Sequence, residues 1–152
     1  MHLLDIITIL CTGLMVGNEL TVSLFVNPVI WQLDEPAQAK ALSLFARYLG
    51  KAMPIWYALS LVLLIAEAYF RRNQPALTPL LTAIIIWIAV ILYTVTTLVP
   101  INNRIAALST GSLPTQWRSE HKKWDTLHRW RILFLTIAIT CVIHALLKSS
   151  VI

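Results

Sequence analysis

Four apolar runs constrain this chain more than any other feature. They cover about residues 5–31, 53–70, 77–100 and 129–148. Each is close to the roughly 20 residues that an α-helix needs to cross the hydrocarbon core of a bilayer. No water reaches the backbone N–H and C=O groups there, so a spanning segment must satisfy them internally, as a helix does. The chain is 58% hydrophobic and 12% charged, far poorer in charge than a soluble domain of this size. The expected fold is an all-α integral membrane protein, an up-down-up-down bundle of four transmembrane helices forming one domain over residues 1–152. The first run reads as a retained span, because it lacks a basic start, is too long for a signal h-region and carries Glu19.

In such a bundle the first and third loops share one face of the membrane, with the termini and the tight second loop on the other. The first face carries Lys40, Arg47, Lys51, Arg104, Arg118, Lys122, Lys123, Arg129 and Arg131, against Arg71, Arg72 and Lys148 on the second. By the positive-inside rule the first face is cytoplasmic and both termini lie outside, most simply in a bacterial plasma membrane. The net charge of +5 is thus assigned to orientation and to anionic lipid, with no nucleic-acid partner. Leu42, Phe45, Tyr48 and Leu49 form one apolar stripe in the first loop, which predicts a short interfacial helix lying on the membrane. Gly13 and Gly17, continued by Thr21, form a small-residue face suited to close helix packing within the bundle or to homo-oligomers. Cys11 and Cys141 fall inside the first and last spans and read as small buried hydrophobes.

Glu19, beside Asn18, sits in the middle of the first span. An acidic side chain at that depth costs on the order of 3 kcal/mol on insertion scales, so it faces a bundle interior or a cavity and has a partner. The structural alternative is a protonated Glu that fixes helix packing. Glu19, Ser23 and Asn27 are spaced four apart and form a polar ridge, with Glu19 roughly 12 Å below Asn27 by helix rise. A second ridge runs along the end of the third span through Tyr93, Thr96 and Thr97, Pro100, and Asn103 and Arg104. Its threonines have an ordinary role as back-bonded membrane threonines. On helix depth, Arg131 is too shallow to reach Glu19, while Tyr93 and Thr94 are placed to bond it. Glu67, one turn before Arg71, reads as half of an interfacial ion pair.

Trp117, His121, Trp124, His128 and Arg131 are spaced four, three, four and three apart. They fall on one helical stripe, which predicts an extended helical entry to the last span. An aromatic belt with basic anchors is the ordinary account of such residues, but random anchors would not keep to one face. His121 and His128 are about 10 Å apart along a helix axis, too far to chelate one ion by themselves. His128 with Glu19 would be the ligands of a metal, so the cofactor expectation is none or a single transition metal. The ridges together predict an intramembrane pocket with apolar walls for a lipophilic small molecule, open to the basic face or the bilayer.

The run Pro100, Ile101, Asn102, Asn103, Arg104, followed by Trp124, His128 and Arg131, resembles the anthrone-oxygenase-like family of small four-span membrane proteins. The resemblance spans essentially the whole chain and points to Asn103, Trp124, His128 and Arg131. Its characterised branch is associated with oxidation of anthrones to anthraquinones, and many members have no assigned substrate. The resemblance implies an oxygenase-like oxidoreductase for a lipophilic aromatic or quinone-like substrate. His128 would be the general base, Arg131 and Asn103 the groups that stabilise a developing oxyanion, and Glu19 a buried proton acceptor. Trp124 would be a stacking wall, with Asn18, Tyr93, Arg104, Asn27 and His121 as further substrate-binding residues. The rival reading is a non-enzymatic membrane protein that binds or carries a lipophile or proton, or a structural partner in a membrane complex.

Overall fold

In a computed structural model that describes residues 2–108 and 113–149, the chain is built from four long helices, with no strand among the described residues. They are α1 (Leu3–Ile30), α2 (Glu35–Phe70), α3 (Leu77–Ala106) and α4 (Trp117–Lys148), each long and apolar enough to cross a membrane. Short connections reverse the chain between them. Large apolar side chains stand outward along all four helices, among them Leu14, Ile55, Val62, Ile85, Leu92 and Phe134. An exposed apolar surface of that extent belongs in lipid. The protein is a multi-pass membrane protein.

The inward faces make three cores, the smallest formed by Ala68, Ala76, Leu80 and Ala145, and two larger ones. One, at mid-bundle, joins Met15, Leu64, Trp87, Leu135 and Val142 from all four helices. Trp87 is fully buried, and its indole N–H donates to the Tyr57 carbonyl oxygen at 3.2 Å. The other lies towards the basic face and joins Ile30, Leu42, Ala46, Ile101, Ile105 and Trp117. The apolar stripe of the first loop is therefore not a separate interfacial helix. Asp34 caps α2 by accepting from the Ala37 N–H, Pro36 sits in the first turn, and the helix runs unbroken through Pro54 into the second span. Leu42 turns inward while Phe45 and Tyr48 stay exposed, so the stripe divides between core and surface. The extended entry to the last span is present, since α4 begins at Trp117.

α1 and α3 share an irregularity that residue spacing did not disclose. Val22–Val26 and Thr94–Leu98 are π turns, closed by Asn27 N–H to the Val22 oxygen and Val99 N–H to the Thr94 oxygen. Pro28 and Pro100 follow at once. A proline lacks an N–H and crowds the carbonyl four residues back, here Leu24 and Thr96, and a wider turn relieves that clash. Each π turn adds a residue to its helix turn, so faces extrapolated at α-helical spacing drift beyond it. The small-residue face of α1 also departs from expectation. A Cβ at Gly13 would meet Ile139 at an ordinary 3.7 Å, and one at Gly17 would meet nothing within 4 Å, so neither glycine is needed for packing inside this chain.

Trp87→Ala should destabilise the protein by about 3–5 kcal/mol, because it removes both the central ring and the bond to Tyr57. An SDS titration of purified protein would read this as a lower unfolding midpoint.

Candidate functional site

Glu19 is buried where the four helices meet, and its carboxylate is fully engaged. Oε2 accepts from Arg131 Nη2 at 2.5 Å and from His128 Nε2, and Oε1 accepts from the Tyr57 hydroxyl at 3.1 Å. His128 is completely buried and Arg131 nearly so. A buried carboxylate needs such a set, since an unpaired charge in a medium without water is costly. The stripe on α4 explains the convergence: His128 and Arg131, three apart, present both groups to one point of α1. Arg131 thus reaches Glu19 directly, contrary to the depth expectation, because a long side chain extends several ångströms along the bundle.

The network also assigns protons. An ion-paired carboxylate is acceptor-only, so His128 Nε2 donates to it, and in the neutral tautomer the ring's lone pair is then on Nδ1. That Nδ1 is buried with no protein partner, and so is the Nε–H of Arg131. Arg131 Nη1 reaches the Thr94 hydroxyl at 3.5 Å, and the guanidinium lies over the Tyr57 ring, 5.8 Å from its centroid. His128 Nδ1 and the Nε–H of Arg131 are thus left without a protein partner in an otherwise satisfied cluster.

Above the cluster is a cavity of about 490 Å³. Glu19, Tyr57, Thr94, Trp124, His128 and Arg131 line its polar side, and residues such as Val22, Met53, Leu61, Ile91 and Leu98 its apolar walls. Trp124 stacks on His128 with centroids 4.6 Å apart and planes at 20°. Asn18 lines the cavity too, its amide 3.5 Å from Met53 sulfur. At the upper end Asn102 donates to the Ala46 carbonyl at 3.1 Å, a close approach of α2 and α3 at Gly50, where a Cβ would stand 3.1 Å from the amide.

The remaining expected residues divide. Asn103 lines the cavity and is exposed, nine residues along α3 from Thr94, roughly 13 Å. Tyr93 and Thr94 do not bond Glu19: the Tyr93 hydroxyl donates to the Leu127 carbonyl at 3.3 Å, and Thr94 contacts Arg131. Thr96 and Thr97 bond back to Leu92 and Tyr93. Arg104 is exposed and pairs with Glu120 at 2.7 Å. Asn27 is buried but donates to Asp125 at 2.8 Å, and Asp125 is also held by Arg129. His121 is buried between Trp31 and Trp124 and lines a separate cavity of about 50 Å³ with Asn27. The π turns account for Asn27 and Arg104, since both ridges were drawn across them, and the threonines keep the back-bonded role expected of them. Tyr57 was missed because, next to Trp56 near the start of a span, it has the pattern of an interfacial aromatic.

Among the described residues no three of His, Cys, Asp and Glu come together as a metal site. His128 Nε2 and Glu19 bond each other, a guanidinium shares the same carboxylate oxygen, and only His128 Nδ1 stays unbonded. Two ligands beside a fixed cation do not fit a transition metal.

The anthrone oxygenase family model matches residues 42–141, from the first third of α2 to the last third of α4. The chain belongs to the anthrone oxygenase family. The match includes Tyr57, Thr94, Trp124, His128 and Arg131, while Glu19 precedes it. No curated protein and no solved structure matches the chain.

Removing Glu19 alone, as Glu19→Ala, should cost about 3–5 kcal/mol because it leaves the Arg131 guanidinium buried and unpaired. The double variant Glu19→Gln with Arg131→Met should be less destabilised than the sum of the two single changes, by about 1–3 kcal/mol in a double-mutant cycle.

Proposed function

We propose that this family member is a membrane-embedded, oxygenase-type oxidoreductase that acts on a lipophilic aromatic or quinone-like molecule with an acidic ring methylene, as in an anthrone. The observation that carries the reading is the pair of unpartnered groups buried in two residues of the cavity lining, the Nδ1 of His128 and the Nε–H of Arg131. A ketone with an adjacent acidic C–H complements that pair. His128 Nδ1 takes the proton, and Arg131 holds the enolate oxygen that develops. Glu19 fixes the His128 tautomer and balances the charge of Arg131, and Tyr57 holds Glu19 in turn. Trp124, stacked between His128 and His121, lines the cavity as an aromatic wall for a flat ring system.

The step balances with dioxygen as oxidant. The carbanion donates its electron pair to O₂, a C–O bond forms, and the resulting peroxide takes back the proton held by His128. Loss of the second C–H proton then breaks the O–O bond, leaving a ketone and water. The CH₂ is oxidised to C=O by one O₂, with no net proton released. An activated methylene permits this, because its conjugate base is electron-rich enough to react with oxygen; an unactivated alkane does not. In the same reading the basic face is cytoplasmic, the termini are outside, and the membrane is a bacterial plasma membrane. The distribution of Lys and Arg supports this orientation.

Purified protein in nanodiscs should consume O₂ and form anthraquinone when given anthrone, at a rate proportional to enzyme. His128→Ala should lower turnover by about 10²–10⁴, and Arg131→Lys, which keeps charge but loses the Nε donor, by about 10²–10³. Both variants should still bind anthraquinone. Retained turnover in His128→Ala would sink the base assignment. No turnover in any form, with pH-dependent ligand binding lost in Glu19→Gln, would favour the carrier instead.

A further inference from the structure

The cavity has chemically different ends. Its floor is the buried cluster around Glu19. Of its lining residues, the exposed ones include Arg47, Lys51, Pro54 and Ala58 on α2, and Val95 and Asn103 on α3. These flank one gap, so the cavity opens sideways between α2 and α3, in the half of the bundle nearer the basic face. The π turn Thr94–Leu98 borders that gap on the α3 side.

Arg47 and Lys51 stand on its rim, four residues apart. Arg47 Nε donates to the Ala106 carbonyl at 2.9 Å, which ties the guanidinium to the end of α3. Among the described residues neither cation pairs with a carboxylate, whereas Arg104 and Arg129 on the same side of the bundle pair with Glu120 and Asp125. Two like charges one helical turn apart are weakly unfavourable for the helix, so the pair gains its sense from an anion placed between them. Lys51 and Arg47 lie six and ten residues along α2 from Tyr57, roughly 9 Å and 15 Å by helix rise.

We infer that the cavity takes an amphiphilic acid from the bilayer through the gap between α2 and α3, with its aromatic body against Trp124 and its carboxylate or phosphate held by Arg47 and Lys51. This rests on the reading of the cavity as the substrate site. A lipid headgroup carries the same anionic chemistry, and the test separates the two.

The full chain in phosphatidylcholine nanodiscs is titrated with anthraquinone-2-carboxylate and with neutral anthraquinone, and binding is read by quenching of tryptophan fluorescence. The acid should bind about tenfold more tightly, and the advantage should shrink to within about twofold in Lys51→Gln and in Arg47→Gln. It should persist in Lys40→Gln, an exposed cation on the same face that does not line the cavity. Lys51 is exposed, so its variant retains the fold if Arg47→Gln does not. Equal affinity in the wild type, or an advantage that survives both rim variants, overturns the inference and leaves the proposed oxidation standing. Binding of neither probe overturns both. An advantage abolished by adding phosphatidylglycerol gives the rim to a lipid headgroup and overturns the acidic-substrate assignment.

Discussion

The buried ion pair between Glu19 and Arg131 is the constraint on which the rest of the structure depends. A carboxylate in mid-membrane is tolerated only with its charge balanced and its oxygens bonded, and here four helices supply that balance. α1 brings Glu19, α2 Tyr57, α4 His128 and Arg131, and α3 touches Arg131 through Thr94. In lipid, helices gain little from burying apolar faces against each other, because the surrounding acyl chains are equally apolar. A polar cluster that can be completed only in one arrangement therefore specifies the bundle as well as the site.

A second cluster does similar work at the opposite end. Asp5, Thr8, Glu67 and Arg71 join α1 to the end of α2, with Arg71 bonded to Asp5 at 2.7 Å and Thr8 to Glu67 at 3.0 Å. Glu67 and Arg71 form the expected i,i+4 pair at the end of α2, and both are fully buried. The two clusters differ in what they leave over. The one at Asp5 lines neither of the two cavities described, whereas the one at Glu19 adjoins a cavity with an acceptor and a donor unspent. That difference, not burial or charge alone, is why the proposed chemistry is placed beside Glu19.

The cavity in turn depends on two prolines. Without the π turns at Val22–Val26 and Thr94–Leu98, α1 and α3 would keep straight α-helical faces through the half of the bundle that holds the cavity. Wide turns of this kind are common where a helix must make room for function. Above them, Gly50 lets Asn102 reach the backbone of α2, which closes the bundle over the site.

Much of this was legible in the chain. Length and apolarity alone required four spanning helices, because the bilayer leaves no other way to satisfy the backbone. Glu19 announced a buried partner, and the four-three spacing of Trp124, His128 and Arg131 placed three groups on one face of α4, since helical periodicity is a local property of sequence. What the sequence left open was every relation that crosses between helices. Tyr57 as a partner of Glu19, Arg131 reaching that carboxylate, Asn27 going to Asp125 and Arg104 turning out to Glu120 depend on helix rotation and on the extra residue in each π turn. Local pattern carries composition, depth and face. Only the packed bundle, by deciding which side chains could meet away from water, settled which of those polar groups became a site.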